Sequence, residues 1–351
     1  MKQIFFLILC FTVIGSALAQ PIAKENKLTL PQIEKKIKGY SYDMINADHW
    51  FMRFEADSLF TRGLVRALKM PYSFYYPFDS LTSISKLYAP DSSFRIFTWQ
   101  MMKDYTYYRQ RGAIQMRTPD GSLKLFPLFD VSDFTKAPGD SIRNIKNWIG
   151  AIYYKVLLNM DGNKKVYTLL GYDENGPRSN IKWIDILTFD ENGIPHFGGN
   201  YFKFEPSDTS RQKGIAYRYG LEYKKEAKLR MLYDGETQMI VFDHLASESD
   251  EPESKYTYVP DGSYEAFKWE NNHWGHVPKL ATLSLGNGNA PLEAMILDEN
   301  GNLDQKKLDE QSRRNMLLQQ QESQQTTTEP KEPKKIKTTK KKSSQPPEGE
   351  Y

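Results

Sequence analysis

The chain has 351 residues but only one cysteine, Cys10, and five histidines. Cys10 lies in the apolar run Ile4 to Ile14 (IFFLILCFTVI), so the chain after it offers no disulfide, no thiolate metal site and no cysteine nucleophile. His273 and His276 are three residues apart, which on a strand puts them on opposite faces and argues against a shared metal ion. Also missing are a Gly-x-Ser-x-Gly elbow, a glycine-rich phosphate loop and a His-Glu-x-x-His pair. "LGNGNA", Leu285 to Ala290, has no lysine-serine pair and reads as a flexible loop. No catalytic residue, no metal ligand and no cofactor site is therefore assigned from sequence. A strong overall charge is absent too. The net charge is +3, while the segment from Asp304 holds eleven Lys and Arg against eight Asp and Glu, and Lys2 adds one more positive charge. The remainder is near −1, which argues against a nucleic-acid reader.

Long hydrophobic runs are scarce as well. After the first run none approaches the roughly eighteen residues of a membrane-spanning helix, so no transmembrane segment is expected. The first run is short for that purpose: its residues rise about 16 Å as a helix against a hydrocarbon core of about 30 Å. With Lys2 before it and Ala17-Leu18-Ala19 after it, residues 1–19 read as a secretory signal peptide cleaved after Ala19.

Four regions are expected. Residues 1–19 are the signal peptide, and residues 20–90 form a helical segment packed on a sheet. Residues 91–303 form an antiparallel β domain. Residues 304–351, polar and rich in Gln and Lys, bury too little apolar surface to order and read as a disordered tail. Within the helical segment, Pro31 to Lys38 carries Ile33 and Ile37 one turn apart. A longer helix over Asn46 to Lys69 places Trp50, Phe51, Phe54, Phe60, Leu64 and Leu68 at helical spacings. Asn46 or Asp48 would cap it and Pro71 would end it; Gly63 would cost it about 1 kcal/mol.

From Phe94 the period becomes two. Ile215 to Tyr223 alternates Ile215, Tyr217, Tyr219, Leu221 and Tyr223 with Ala216, Arg218, Gly220 and Glu222; Ile152, Tyr154, Val156 and Leu158 alternate with Ala151, Tyr153, Lys155 and Leu157. FRIFTW (Phe94 to Trp99) is apolar on both faces and suits a strand covered on both sides. About a dozen strands, spaced like an antiparallel meander, predict a mainly β fold with an N-terminal helical cap: one curved sheet, closed or half closed as a barrel.

Asp-Glu-Asn-Gly occurs three times, ending at Gly176, Gly193 and Gly301. A calcium loop would need an aspartate five residues before each glycine, where Gly171, Thr188 and Ile296 stand. The tetrapeptides therefore read as turns, with Gly176 and Gly193 at positive φ. Pro119 to Ser122, Met160 to Asn163, Tyr233 to Glu236 and Pro260 to Ser263 read likewise.

The richest polar-aromatic stretch is KDYTYYRQRG, Lys103 to Gly112. Its Tyr107, Tyr108, Arg109 and Arg111 are the candidate binding residues, since tyrosine rings stack on sugars and guanidinium forks hold phosphate or carboxylate. The bland alternative is a strand or loop edge whose tyrosines cover the sheet. His49, Arg53 and Asp57 share a helical face, as an acid-base relay or as a solvated face with local ion pairs.

FRIFTWQ (Phe94 to Gln100), GAIQMRTPDGSLKLFPLFD (Gly112 to Asp130), WIGAIYYK (Trp148 to Lys155), FDHL (Phe242 to Leu245) and YVPDGSYEAFKWENNHW (Tyr258 to Trp274) resemble a family of uncharacterised exported β-rich proteins of the Bacteroidota. The resemblance covers most of residues 40–280. It implies export in a Gram-negative cell, to the periplasm or the outer-membrane periphery, and a shared fold; it transfers no functional residue. The expected function is a non-enzymatic envelope binding or interaction module whose partner is an envelope glycan, a lipid phosphate or a protein. The alternative is a hydrolase acting on envelope glycan or peptide, for which carboxylates converging in a cleft would be the sign.

Overall fold

The structure, a computed structural model, describes residues 24–104, 107–204, 216–249 and 251–280. The expected signal peptide, the third Asp-Glu-Asn-Gly and the 304–351 tail lie outside these residues. The described residues all fall within one compact unit, residues 1–281. It is mainly β, with two N-terminal helices and strands in three sheets.

Helices α1 (Lys24–Asn46) and α2 (Trp50–Leu68) pack on each other. The α1 helix runs through Pro31 instead of starting there. Leu30, Ile37 and Met44, spaced by seven, are fully buried along one stripe, and this burial outweighs the local break at proline. Neither Asn46 nor Asp48 caps α2; the N-cap is His49, which makes no side-chain capping bond. Gly63 has a reason beyond propensity: a Cβ there would sit 2.3 Å from Cγ2 of Ile37, so glycine permits the close helix contact.

Sheet 1 is a meander of β1 (Ser85–Tyr88), β2 (Phe94–Asp104), β3 (Tyr107–Met116) and β4 (Lys124–Phe129). Sheet 2 is built from β5 (Arg143–Asn144), β6 (Ile152–Asp161), β7 (Lys164–Asp173), β8 (Ser179–Phe189) and β9 (Pro195–Phe197), in the order β5-β9-β8-β7-β6. Next, β10 (Phe202–Lys203) joins sheet 3, and β11 (Tyr219–Lys224) returns to sheet 2 beside the first part of β8. Sheet 3 is completed by β12 (Met231–Asp234), β13 (Met239–Ser247), β14 (Tyr258–Glu270) and β15 (His273–Leu280), in the order β10-β15-β14-β13-β12. Among the described residues every strand pairing is antiparallel except β10 with β15, and an isolated bridge between Asp130 and Trp148 is also parallel.

Side-chain alternation explains why the sheets stack. On β2, Phe97 and Trp99 join the helices in one core, while Phe94 and Ile96 join a second core with Tyr153, Tyr167, Leu169 and Leu187 of sheet 2. Leu170, Ile184 and Ile186 face a third core with Phe242, Phe267 and Trp274 of sheet 3. The order is helices, sheet 1, sheet 2, sheet 3. This corrects the expectation of one curved, barrel-like sheet: among the described residues there is no closed barrel. Strands such as β2, β7 and β8 are apolar on both faces, and both faces must be covered.

Local departures have equally local causes. A bulge between Tyr153 and Lys155 breaks the expected alternation of β6, so Tyr153 and Val156 share the core between sheets 1 and 2. Gly193 has φ +70° as expected, but in the preceding turn Asn175, at φ +53°, takes the left-handed place assigned to Gly176. In both turns the aspartate caps the backbone: Asp173 accepts from the amide of Asn175 at 2.9 Å, and Asp190 from those of Asn192 and Ile194 at 2.9 and 2.8 Å. Pro260 to Ser263 is not a turn between two strands but an irregularity inside β14.

Of the helical face His49, Arg53 and Asp57, His49 is exposed while Arg53 and Asp57 are buried in contacts that are not a relay. Arg53 donates to the carbonyls of Met102, Lys103 and Ala47 at 2.7, 2.8 and 2.7 Å. Asp57, 1% exposed, accepts from Trp99 Nε1 at 2.8 Å and from Nε and Nη2 of Arg111 at 3.1 and 2.8 Å. These bonds dock α2 on sheet 1.

Candidate functional site

A cavity of about 240 Å³ opens between sheets 1 and 2. Strand β3 contributes Tyr108 and Gln110; the segment after β4 contributes Asp130 and Asp133; β7 ends in it at Asp173; β8 adds Trp183 and β11 adds Glu222. The chain folds tightly around Asp130. Its Oδ1 accepts from the amides of Ser132 and Gly150 at 2.9 and 3.0 Å, and its Oδ2 accepts from the amide of Gln110 at 3.0 Å. A Cβ on Gly150 would lie 2.3 Å from Cβ of Gln110 and 2.6 Å from Cγ of Asp130, so glycine is required for this approach.

Asp173 is the least ordinary group in the cavity. Burial pushes its pKa up to about 6, and the neighbouring charges of Asp130 and Asp133 push the same way; donors from Asn175 and Gln110 oppose them. Burial also raises Asp133, with Asp130 adding to the effect. Gln110 donates through Nε2 to Asp173 Oδ1 at 2.9 Å, while its Oε1 is buried and accepts no hydrogen bond. Trp183 Nε1 is likewise buried with no acceptor. Two residues that line the cavity therefore each carry a buried polar atom without a partner, one a donor and one an acceptor, beside a carboxyl raised to about 6.

The four residues predicted from sequence divide. Tyr108 lines the cavity, and the ammonium of Lys225 lies 4.9 Å from its ring centroid. Tyr107 is hydrogen-bonded to Asp133, and the positive charge of Arg109 acts on the same carboxyl. Arg111 does not line this cavity: its guanidinium pairs with Asp57 on the other face of the strand. Alternation along β3 sends Tyr108 and Gln110 towards sheet 2 and Arg111 towards the helices. Sequence reasoning missed Gln110, Asp130, Asp173, Trp183 and Glu222. The only available signal was Asp173 in its tetrapeptide, and that residue also serves the turn.

The raised pKa fixes the sign of a stability effect. A carboxyl that holds its proton more tightly when folded contributes stability that is complete below its unfolded value, near pH 4, and lost as pH rises through about 6. Asp173→Asn keeps an oxygen for both donors without the charge. It is expected to stabilise the protein at pH 7.5 by on the order of 2 kcal/mol and to change little at pH 4. Urea unfolding at both pH values measures this, and an equal difference at both would show that Asp173 carries no shifted proton.

Among the described residues no helix is long and apolar enough to cross a membrane. A scan against protein-family models and searches of curated proteins and of solved structures found no match to this chain, so its function is argued from the site itself.

Proposed function

We propose that this chain is an exported, non-enzymatic binding module of the Gram-negative envelope, in the periplasm or at the outer-membrane periphery, and that the cavity between sheets 1 and 2 takes a hydroxyl-rich glycan. The observation that carries this is that two residues lining one cavity each hold a buried polar atom without a partner, the donor Trp183 Nε1–H and the acceptor Gln110 Oε1, which a ligand drawing these side chains towards it would satisfy. A hydroxyl both donates and accepts, so a sugar satisfies both atoms, whereas an ammonium group cannot satisfy the indole and a carboxylate cannot satisfy the amide oxygen. Tyr108 adds a ring at the wall, and the carboxyls of Asp133, Asp173 and Glu222 add acceptors and disfavour anionic ligands.

Calorimetric titration of the full chain with uncharged N-acetylglucosamine oligosaccharide fragments tests this. Trp183→Phe keeps most of the packing but removes the donor, and is expected to weaken binding about tenfold. Absence of binding, or wild-type affinity in Trp183→Phe, overturns the proposal.

One observation favours the hydrolase reading: Asp173, held up to about 6, lies beside Asp130 and Asp133 in a single cavity. Release of new reducing ends from the same fragments between pH 5 and 6, abolished in Asp173→Asn, would replace the binding module by an enzyme.

A further inference from the structure

A second cavity, of about 340 Å³, lies where two hairpin ends meet, and it shares no residue with the first. The β6–β7 end contributes Asp161 and Lys164, the segment before β10 contributes Asn200, β10 contributes Lys203, and the β14–β15 end contributes Asn271 and Asn272. Its chemistry is the reverse of the first. Among the described residues neither Lys164 nor Lys203 has a carboxylate within ion-pair distance, and Asp161 accepts from the Tyr201 hydroxyl at 3.3 Å. Three amide side chains stand with the two ammonium groups.

The turn itself adds an independent argument. Asn271 and Asn272 have φ +49° and +64°, both left-handed, and Glu270 pairs with His273 across them, the arrangement of a two-residue hairpin turn with both central residues at positive φ. Such a turn prefers glycine at its second central position. Here the position holds a second asparagine, which keeps an amide at the cavity where glycine would serve the backbone better.

We infer that this cavity is a binding site for a phosphate group: two ammonium groups with no carboxylate at ion-pair distance among the described residues supply charge, and three lining amides supply donors to its oxygens. The inference is independent of the glycan cavity. A phosphate group reaches it either on a soluble ester or on a lipid headgroup, and both present the same oxyanion.

The test uses the full chain at constant ionic strength, with inorganic phosphate as the probe and chloride as the reference. Phosphate is expected to bind, and the double variant Lys164→Gln with Lys203→Gln to lose at least about tenfold in affinity without a change in melting temperature. Asn272→Gly is the sharper variant: it suits the turn, so stability should hold or rise, yet phosphate affinity should fall several-fold. Vesicles of phosphatidylcholine with phosphatidic acid separate the sources: retention that inorganic phosphate displaces assigns a lipid headgroup, and phosphate binding without retention assigns a soluble ester. Phosphate bound no better than chloride, wild-type affinity in both variants, or vesicle retention that phosphate does not displace overturns the site.

Discussion

Replacing Arg95 with alanine is expected to remove more stability than any other single change in the helix-facing core, about 4 kcal/mol or more, and to lower the melting temperature by about 10 °C. Arg95 lies on β2, is 1% exposed, and has no carboxylate partner among the described residues. Its Nε donates to Gln115 Oε1 at 2.8 Å, Nη1 to the Tyr76 carbonyl at 2.6 Å and the Tyr88 hydroxyl at 2.9 Å, and Nη2 to the Ser73 carbonyl at 2.8 Å. The rings of Phe74, Phe78, Tyr88 and Phe97 surround the guanidinium at 4.7 to 5.7 Å. Burial lowers its pKa to about 10, which leaves it charged at neutral pH. Alanine would open a cavity and take the donor from four acceptors, two of them, Gln115 Oε1 and the Ser73 carbonyl, fully buried. Arg95→Lys fills part of the space but cannot reproduce the planar fork, so it should lose most of the same stability. Differential scanning calorimetry of both variants decides the matter; a loss within 1 kcal/mol for either would mean that the cage contributes little.

Asp185→Ala is expected to cost about 3–5 kcal/mol for a different reason. Asp185 is 2% exposed and lies on the face of β8 towards sheet 1. It accepts from the Tyr153 hydroxyl at 3.0 Å and from the Ile186 amide at 2.9 Å; Trp148 Nε1 donates to the same tyrosine oxygen at 2.9 Å. Arg218, also 2% exposed, places Nε 3.3 Å from Asp185 Oδ1. Removing the carboxylate would leave a buried guanidinium without its counter-charge. Adding Arg218→Met should recover much of the loss, because a matched apolar pair avoids the desolvation of either ion. Equilibrium urea unfolding of the two single variants and the double variant gives the coupling directly, and simple additivity would refute the pairing.

The opposite fates of Tyr108 and Arg111 mark how far a sequence pattern reaches. Their stretch stood out for its density of rings and guanidinium groups, and β3 does bring Tyr108 to the cavity. Arg111, three residues on, points to the other face and meets Asp57, a residue 54 positions away in the chain. Gln110 and Trp183 drew no notice because each is an ordinary strand residue. Their importance lies in a missing partner, which is a property of three-dimensional packing and leaves no trace in composition or spacing.

By itself the sequence determined the local grammar of the chain. It set two amphipathic helices ahead of the strands, a period of two from Phe94 onward, aspartate-led turns between strands, and a β2 strand buried on both faces, because helix and strand periodicities and turn chemistry depend only on near neighbours. Tertiary structure alone decided that the strands divide among three stacked sheets instead of closing on themselves. It also placed the β6 bulge, and it gave Asn175 the conformation that Gly176 was expected to hold. The same holds for the cavity, where Asp130, Asp173, Trp183 and Glu222 come from four separate segments. Sheet partners and convergent side chains are fixed by burial summed over distant segments, and that sum exists only once the chain has packed.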